Sequence, residues 1–110
     1  MKNNKNFLEN KPKKNPDINW TVKDGKVTLE IENKGFFNRI AQKLFKKPKI
    51  SYIHLDELGS FVWLQIDSKR SITEICGLVK EHFGEKAEPV YERTAQYFKI
   101  LESYNFIVLN

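Results

Sequence analysis

Between Ile18 and Glu32 apolar and polar positions alternate, and the alternation is interrupted at Asp24-Gly25. A period of two marks a half-buried strand. Asp-Gly suits the positive φ values of a two-residue type I′ turn, so the segment predicts a β-hairpin. Val27, Leu29 and Ile31 share one face of its second strand, and Thr28 and Glu30 take the other. A third alternating run, Lys49 to Leu55, sets Ile50, Tyr52 and His54 on one face and Ser51, Ile53 and Leu55 on the other. Between these runs, from Gly35 to Pro48, the period changes to 3.6. Phe36 or Phe37, Ile40, Ala41, Leu44 and Phe45 line one side, with Arg39, Lys43, Lys46 and Lys47 opposite. This predicts a short amphipathic helix closed by Pro48. It reads either as attachment to an anionic membrane or partner, or as a connector whose apolar stripe packs on the domain. The connector is preferred, because three turns bury too little for stable membrane binding alone.

From Asp56 onward the helical period persists. Asp56 offers an N-cap oxygen to a helix that turns Leu58, Phe61, Val62 and Gln65 inward. Asp67 to Arg70 form a turn. Ser71 and Glu74 make a capping box that opens a second helix with Ile75, Cys76, Val79 and Phe83 inside, ended by Gly84. A last helix begins at Glu85 or Pro89 and runs to Tyr104, with Val90, Thr94, Tyr97, Leu101 and Tyr104 spaced 4-3-4-3. The closing Phe-Ile-Val-Leu is a small strand or anchor. Residues 1–17 are rich in Lys and Asn and broken by Pro12 and Pro16, so they predict a flexible basic tail ahead of one domain spanning 18–110. The fold class is α+β. The order strand, capped helix, turn, capped helix is the front half of a small winged helix-turn-helix domain. It would carry an N-terminal three-stranded antiparallel sheet, a three-helix core and the extra amphipathic helix.

Charge narrows the functional classes. Residues 1–54 hold thirteen Lys and Arg against five Asp and Glu, whereas residues 55–110 hold six against nine, so a net +5 hides a basic front half and an acidic back half. A winged helix that reads DNA needs cations on its recognition helix. From Glu85 to Glu102, Lys86, Arg93 and Lys99 are outnumbered by Glu85, Glu88, Glu92 and Glu102. DNA is therefore not the expected partner. Nor is a membrane, since no run approaches the roughly 18 apolar residues of a span and the N-terminus has no apolar signal core. One cysteine, Cys76 on an apolar helix face, fits a reducing cytosol and a core role. Histidines 54 and 82 stand without a second ligand at metal spacing, and no phosphate loop, Cys pair or serine elbow is present. The expectation is a cytoplasmic, non-catalytic protein without metal or cofactor.

The stretch His54-Leu55-Asp56-Glu57-Leu58-Gly59, followed by Val62-Trp63, Asp67 and Ile72 through Ile75, resembles the PqqD family of peptide-binding domains. The likeness runs from about Trp20 to Leu109. It departs from the family at Ser68, where members often have Gly, and in the extra Gly35–Pro48 helix. The resemblance implies a winged helix-turn-helix domain that recognises the leader of a ribosomally made precursor peptide and presents it to a modifying enzyme, commonly a radical-SAM maturase. It implies that the peptide adds to the exposed edge of the third strand, with a pocket between that strand and the last helix. Carried onto this chain, the edge is Ile50, Ser51, Tyr52, Ile53 and His54, and the facing helix offers Tyr91, Thr94, Ala95 and Phe98. Core packing is the competing role for Ile53 and Thr94, and lining a groove or filling the core stand level for Tyr91 and Phe98. Lys46, Lys47 and Lys49 would form a basic rim attracting an acidic leader, and Trp63 is assigned to the core. A nucleic-acid binder using the basic front half is the alternative, and an exposed edge allows either a monomer or a dimer.

Overall fold

The computed structural model describes residues 4–32 and 50–109. The expected amphipathic helix from Gly35 to Pro48, and Lys46, Lys47 and Lys49 of the basic rim, lie outside the described residues. The architecture is α+β. Strands β2 (Asn19–Lys23), β3 (Lys26–Glu32) and β4 (Ile50–His54) form an antiparallel sheet in the order β2-β3-β4. Helices α2 (Glu57–Gln65), α3 (Ile72–Phe83) and α4 (Val90–Ser103) follow, with a 3-10 turn at Gly84–Ala87 between the last two. Asp24 and Gly25 both take positive φ, +53° and +78°, as the predicted type I′ hairpin turn requires.

The sheet covers the helices with one face. Val27 and Leu29 are fully buried and Ile31 packs beside them, against Val62, Trp63, Ile72, Ile75, Cys76, Val79, Phe98 and Leu101. Ser60 fastens sheet to helix. Its hydroxyl accepts a hydrogen bond from Val27 N at 2.8 Å and donates to Leu55 O at 3.3 Å, so a fully buried polar side chain is satisfied on both sides. The caps are as predicted. The Asp56 carboxylate accepts from Gly59 N at 2.7 Å, and Ser71 with Glu74 completes a reciprocal capping box. In the intervening turn Asp67 accepts from the backbone N–H groups of Lys69 and Arg70, which hold its carboxyl below the usual range. Ser68 adopts φ +70°, the left-handed conformation that explains why glycine suits this place.

Two expectations fail. Residues 4–17 are not a loose tail: they form α1 (Asn4–Glu9) and β1 (Lys13–Lys14), and β1 pairs antiparallel with β5 (Ile107–Val108). The segment is polar, yet its backbone finds partners across the turn between α2 and α3. Pro12 O accepts from Ser68 N, Asn10 O from Ile72 N, and Leu8 O from the Thr73 hydroxyl. Asn15 N and Nδ2 donate to Phe106 O and Asn105 O, and Pro12 has under 2% of its surface exposed. Hydrogen bonds to orphan N–H groups at a turn and helix start offset the ordering entropy that composition alone suggested was unaffordable. The second failure concerns α2. Leu58, Phe61 and Gln65 are only half-buried, and the residues fully inside are Gly59, Ser60, Val62 and Trp63. The helix is rotated because the small pair Gly59-Ser60 lets it approach both sheet and α4 closely.

Candidate functional site

β4 is an edge strand: β3 pairs with it on one side, and no described strand pairs on the other. Antiparallel ladders alternate residues that bond the neighbour with residues that face away. Leu55 N donates to Val27 O at 2.9 Å, opposite it in the continued register Leu29↔Ile53 and Ile31↔Ser51. The same alternation turns the backbone N–H and C=O groups of Ile50, Tyr52 and His54 toward the outer edge. Their side chains stand on the outer face of the sheet, with Tyr52 58% and Ile50 40% exposed. Ser51 and Ile53 face inward and are half-buried. The His54 ring is held by the Thr28 hydroxyl, 3.0 Å from Nδ1. The expected two-faced strand is thus in place.

The expected partner surface on the last helix is not. Thr94 and Phe98 are fully buried in the core, and Tyr91 and Ala95 line a groove on the other flank of α4, against Phe7 and Leu8 of α1. The chain buries Val90, Thr94, Phe98 and Leu101, a 4-4-3 stripe, rather than the 4-3-4-3 stripe through Tyr97 and Tyr104; Tyr104 is 65% exposed. That choice rotates α4 about its axis and directs Arg93, Gln96, Tyr97 and Ile100 to the flank nearer β4. These four, with Glu92, meet Asp56, Leu58 and Gly59 just beyond the end of β4 and enclose a groove of about 430 Å³.

Gly59 and Tyr97 set the depth of this groove. A Cβ on Gly59 would lie 2.5 Å from the Tyr97 hydroxyl and 2.9 Å from its ring carbon, so only glycine lets the tyrosine lie flat there. The phenol is covered, finds no hydrogen-bond partner among the described residues, and is pushed well above its ordinary pKa by burial, with the Asp56 charge adding to the shift. Sequence reasoning missed this pair. The signal was a glycine in the first turn of an otherwise well-capped helix, a position that demands a close neighbour.

Elsewhere Trp20 and Trp63 meet edge to face at 6.1 Å, and the Lys14 ammonium lies 4.6 Å from the Trp20 ring and 5.6 Å from the Trp63 ring. Burial lowers the Lys14 pKa, and Asp67 partly restores it. Trp63 is fully buried, as assigned. Burial also raises the Cys76 thiol, with Thr94 opposing, consistent with a packed residue rather than a nucleophile. Among the described residues no three His, Cys, Asp or Glu side chains converge as a metal site requires, and no helix is long and apolar enough to cross a membrane.

The site therefore offers main-chain hydrogen-bonding groups along an edge and a groove with a mostly apolar lining at its end, which is equipment for holding an extended chain. The sequence matches no curated protein and no solved structure. It does match the model of a protein family described as coenzyme PQQ synthesis protein D, over residues 27–107. That span takes in nearly all of β3, then β4, the capped helices α2 and α3, and α4, so this chain belongs to the PqqD family.

Proposed function

We propose that this protein is a non-catalytic accessory protein that binds the leader segment of a ribosomally made precursor peptide, on a winged helix-turn-helix frame, and presents it to the enzyme that modifies it. Membership of a family named for coenzyme PQQ synthesis supports a place in the biosynthesis of that cofactor or of a related peptide product. The observation that carries the reading is the outward-facing backbone of Ile50, Tyr52 and His54 on a strand that leads straight into the Asp56–Gly59 groove. β2 is also an edge, but one end closes in the Asp24-Gly25 hairpin, and the pocket at its other end, between Asn15, Ile18, Glu30 and Phe106, is smaller, about 220 Å³, and more polar. Main-chain bonds along β4 would give sequence-tolerant affinity, and the groove would choose a side chain. Lys46, Lys47 and Lys49 precede β4 in the chain and would draw an acidic leader toward it, on to a radical-SAM or other maturase.

The test is fluorescence anisotropy with a labelled acidic leader peptide against wild type and Tyr52→Pro. Proline at this outward position removes a donor from the free edge without breaking the β3–β4 ladder. The expected result is an unchanged thermal midpoint, binding weakened at least tenfold, and wild-type affinity that falls moderately with salt. Undiminished binding by the folded variant would sink strand addition at β4. A steep salt slope with duplex DNA in place of peptide would instead favour the nucleic-acid reading.

A further inference from the structure

α4 has a second flank that the strand-addition reading does not use. On it, Tyr91, Glu92, Ala95, Gln96 and Lys99 face Phe7 and Leu8 of α1 across a groove of about 370 Å³, in which apolar surface predominates. One wall of this groove lies outside the residues matched by the family, which begin at Val27.

That wall is fixed in place. The Thr73 hydroxyl donates to Leu8 O at 3.0 Å, Ile72 N donates to Asn10 O at 2.9 Å, and the Lys99 ammonium lies 5.3 Å from the centre of the Phe7 ring. Pro12, just after it, is fully packed. A half-open apolar slot held ready in this way resembles a pocket in the free protein, not a gap that closes by collapse. Tyr91, with 49% of its surface exposed, forms the outer lip.

The two grooves are neighbours. Glu92 and Gln96 border both, so one exposed ridge of α4 separates them. A helix with its side chains is about 10 Å wide, and an extended chain advances roughly 3.3 Å per residue. A peptide that fills the Asp56–Gly59 groove therefore reaches the α1 groove about three residues later. The sheet pairs antiparallel throughout, so a strand added to β4 antiparallel would run from the His54 end toward Ile50, and both grooves would receive residues N-terminal to the paired segment.

We propose that the α1–α4 groove is a second specificity pocket for the same peptide. It takes a large apolar side chain about three residues N-terminal to the one in the first groove, with a neighbouring carboxylate meeting Lys99. The N-terminal helix thereby converts a backbone-reading edge into a reader of a two-point apolar motif. This rests on the peptide-binding reading, and the test separates the two.

A random-peptide display library is selected on the immobilised full-length protein, and the winning peptide is synthesised with a fluorophore. Its outer apolar residue is then replaced by Ser, and both peptides are titrated against wild type, Tyr91→Ser, Ala95→Arg and Tyr52→Pro. The expected result is a roughly tenfold loss from the Ser replacement on wild type, with little or no loss on Tyr91→Ser or Ala95→Arg. Both peptides should lose affinity on Tyr52→Pro. Equal losses from the Ser replacement on wild type and both α4 variants would overturn the second pocket while leaving strand addition intact. Full binding by Tyr52→Pro would overturn strand addition and the pocket's role with it. Because Tyr91 is exposed, its variant keeps the test decisive if Ala95→Arg does not fold.

Discussion

Between Ile50 and Trp63 the chain passes from a strand whose alternate side chains stand in solvent to a helix in which Val62 and Trp63 expose none of their surface. The two regions are contiguous, yet they obey different constraints. In α2 each residue type is tied to a neighbour: Ser60 to Val27 and Leu55, Gly59 to Tyr97, Trp63 to Trp20. In β4 the groups along the outer edge belong to the backbone, which any sequence except proline supplies. The family motif is thus written mainly in the frame, and the exposed edge carries little side-chain signature of its own.

Substitutions along this boundary should separate stability from binding. Trp63→Ala should have the largest effect, removing about 3–5 kcal/mol of stability by emptying the space under the sheet, read as a collapse of the urea midpoint. Gly59→Ala should lose roughly 1–3 kcal/mol as the new methyl group displaces the Tyr97 ring, and it should also weaken peptide binding, because the ring lines the groove. Ser60→Ala should lose about 1–3 kcal/mol by leaving Val27 N–H buried without its acceptor, with binding altered only as far as folding is. Equal stability losses for Trp63→Ala and Tyr52→Ala would dissolve the distinction between frame and edge.

Tyr97→Phe should have the smallest effect. The hydroxyl is buried without a partner among the described residues, so its removal should change stability by less than about 1 kcal/mol, or improve it. It should also alter the pH profile. Because the folded phenol holds its proton above the ordinary pKa of about 10, stability is complete below that pH and declines as pH rises past it toward the folded value. Thermal melts from pH 8 to 11 should show a steeper alkaline fall for wild type than for Tyr97→Phe.

Much of the frame was legible in the sequence because its signals are local. Asp24-Gly25 dictates its turn, Asp56 and Ser71 with Glu74 dictate helix starts, and alternation from Ile50 to His54 dictates which side chains face out. What was not legible depends on contacts between distant segments. The stripe of α4 could be drawn through Tyr97 or through Phe98, and packing against α3 chooses Phe98, which leaves Tyr91 and Ala95 on the flank that faces α1. Likewise the N-terminal segment looks like a tail by composition, because its stabilising partners are backbone groups at Ser68, Ile72 and Phe106. Composition carries no record of such bonds. The strand assigned by the resemblance is an edge among the described strands, while Tyr91 and Ala95 lie on the flank of α4 that faces α1.

Amide hydrogen exchange, read residue by residue by NMR with and without a bound leader peptide, probes the edge itself. In the free protein Ile53 and Leu55, bonded to β3, should already be protected, while Ile50, Tyr52 and His54 exchange quickly. On adding peptide, those three outward amides should gain protection together, with smaller changes at Tyr97 and Ile100. Protection that appeared instead at Trp20 and Val22 of β2, with Ile50, Tyr52 and His54 still exchanging freely, would contradict strand addition at β4.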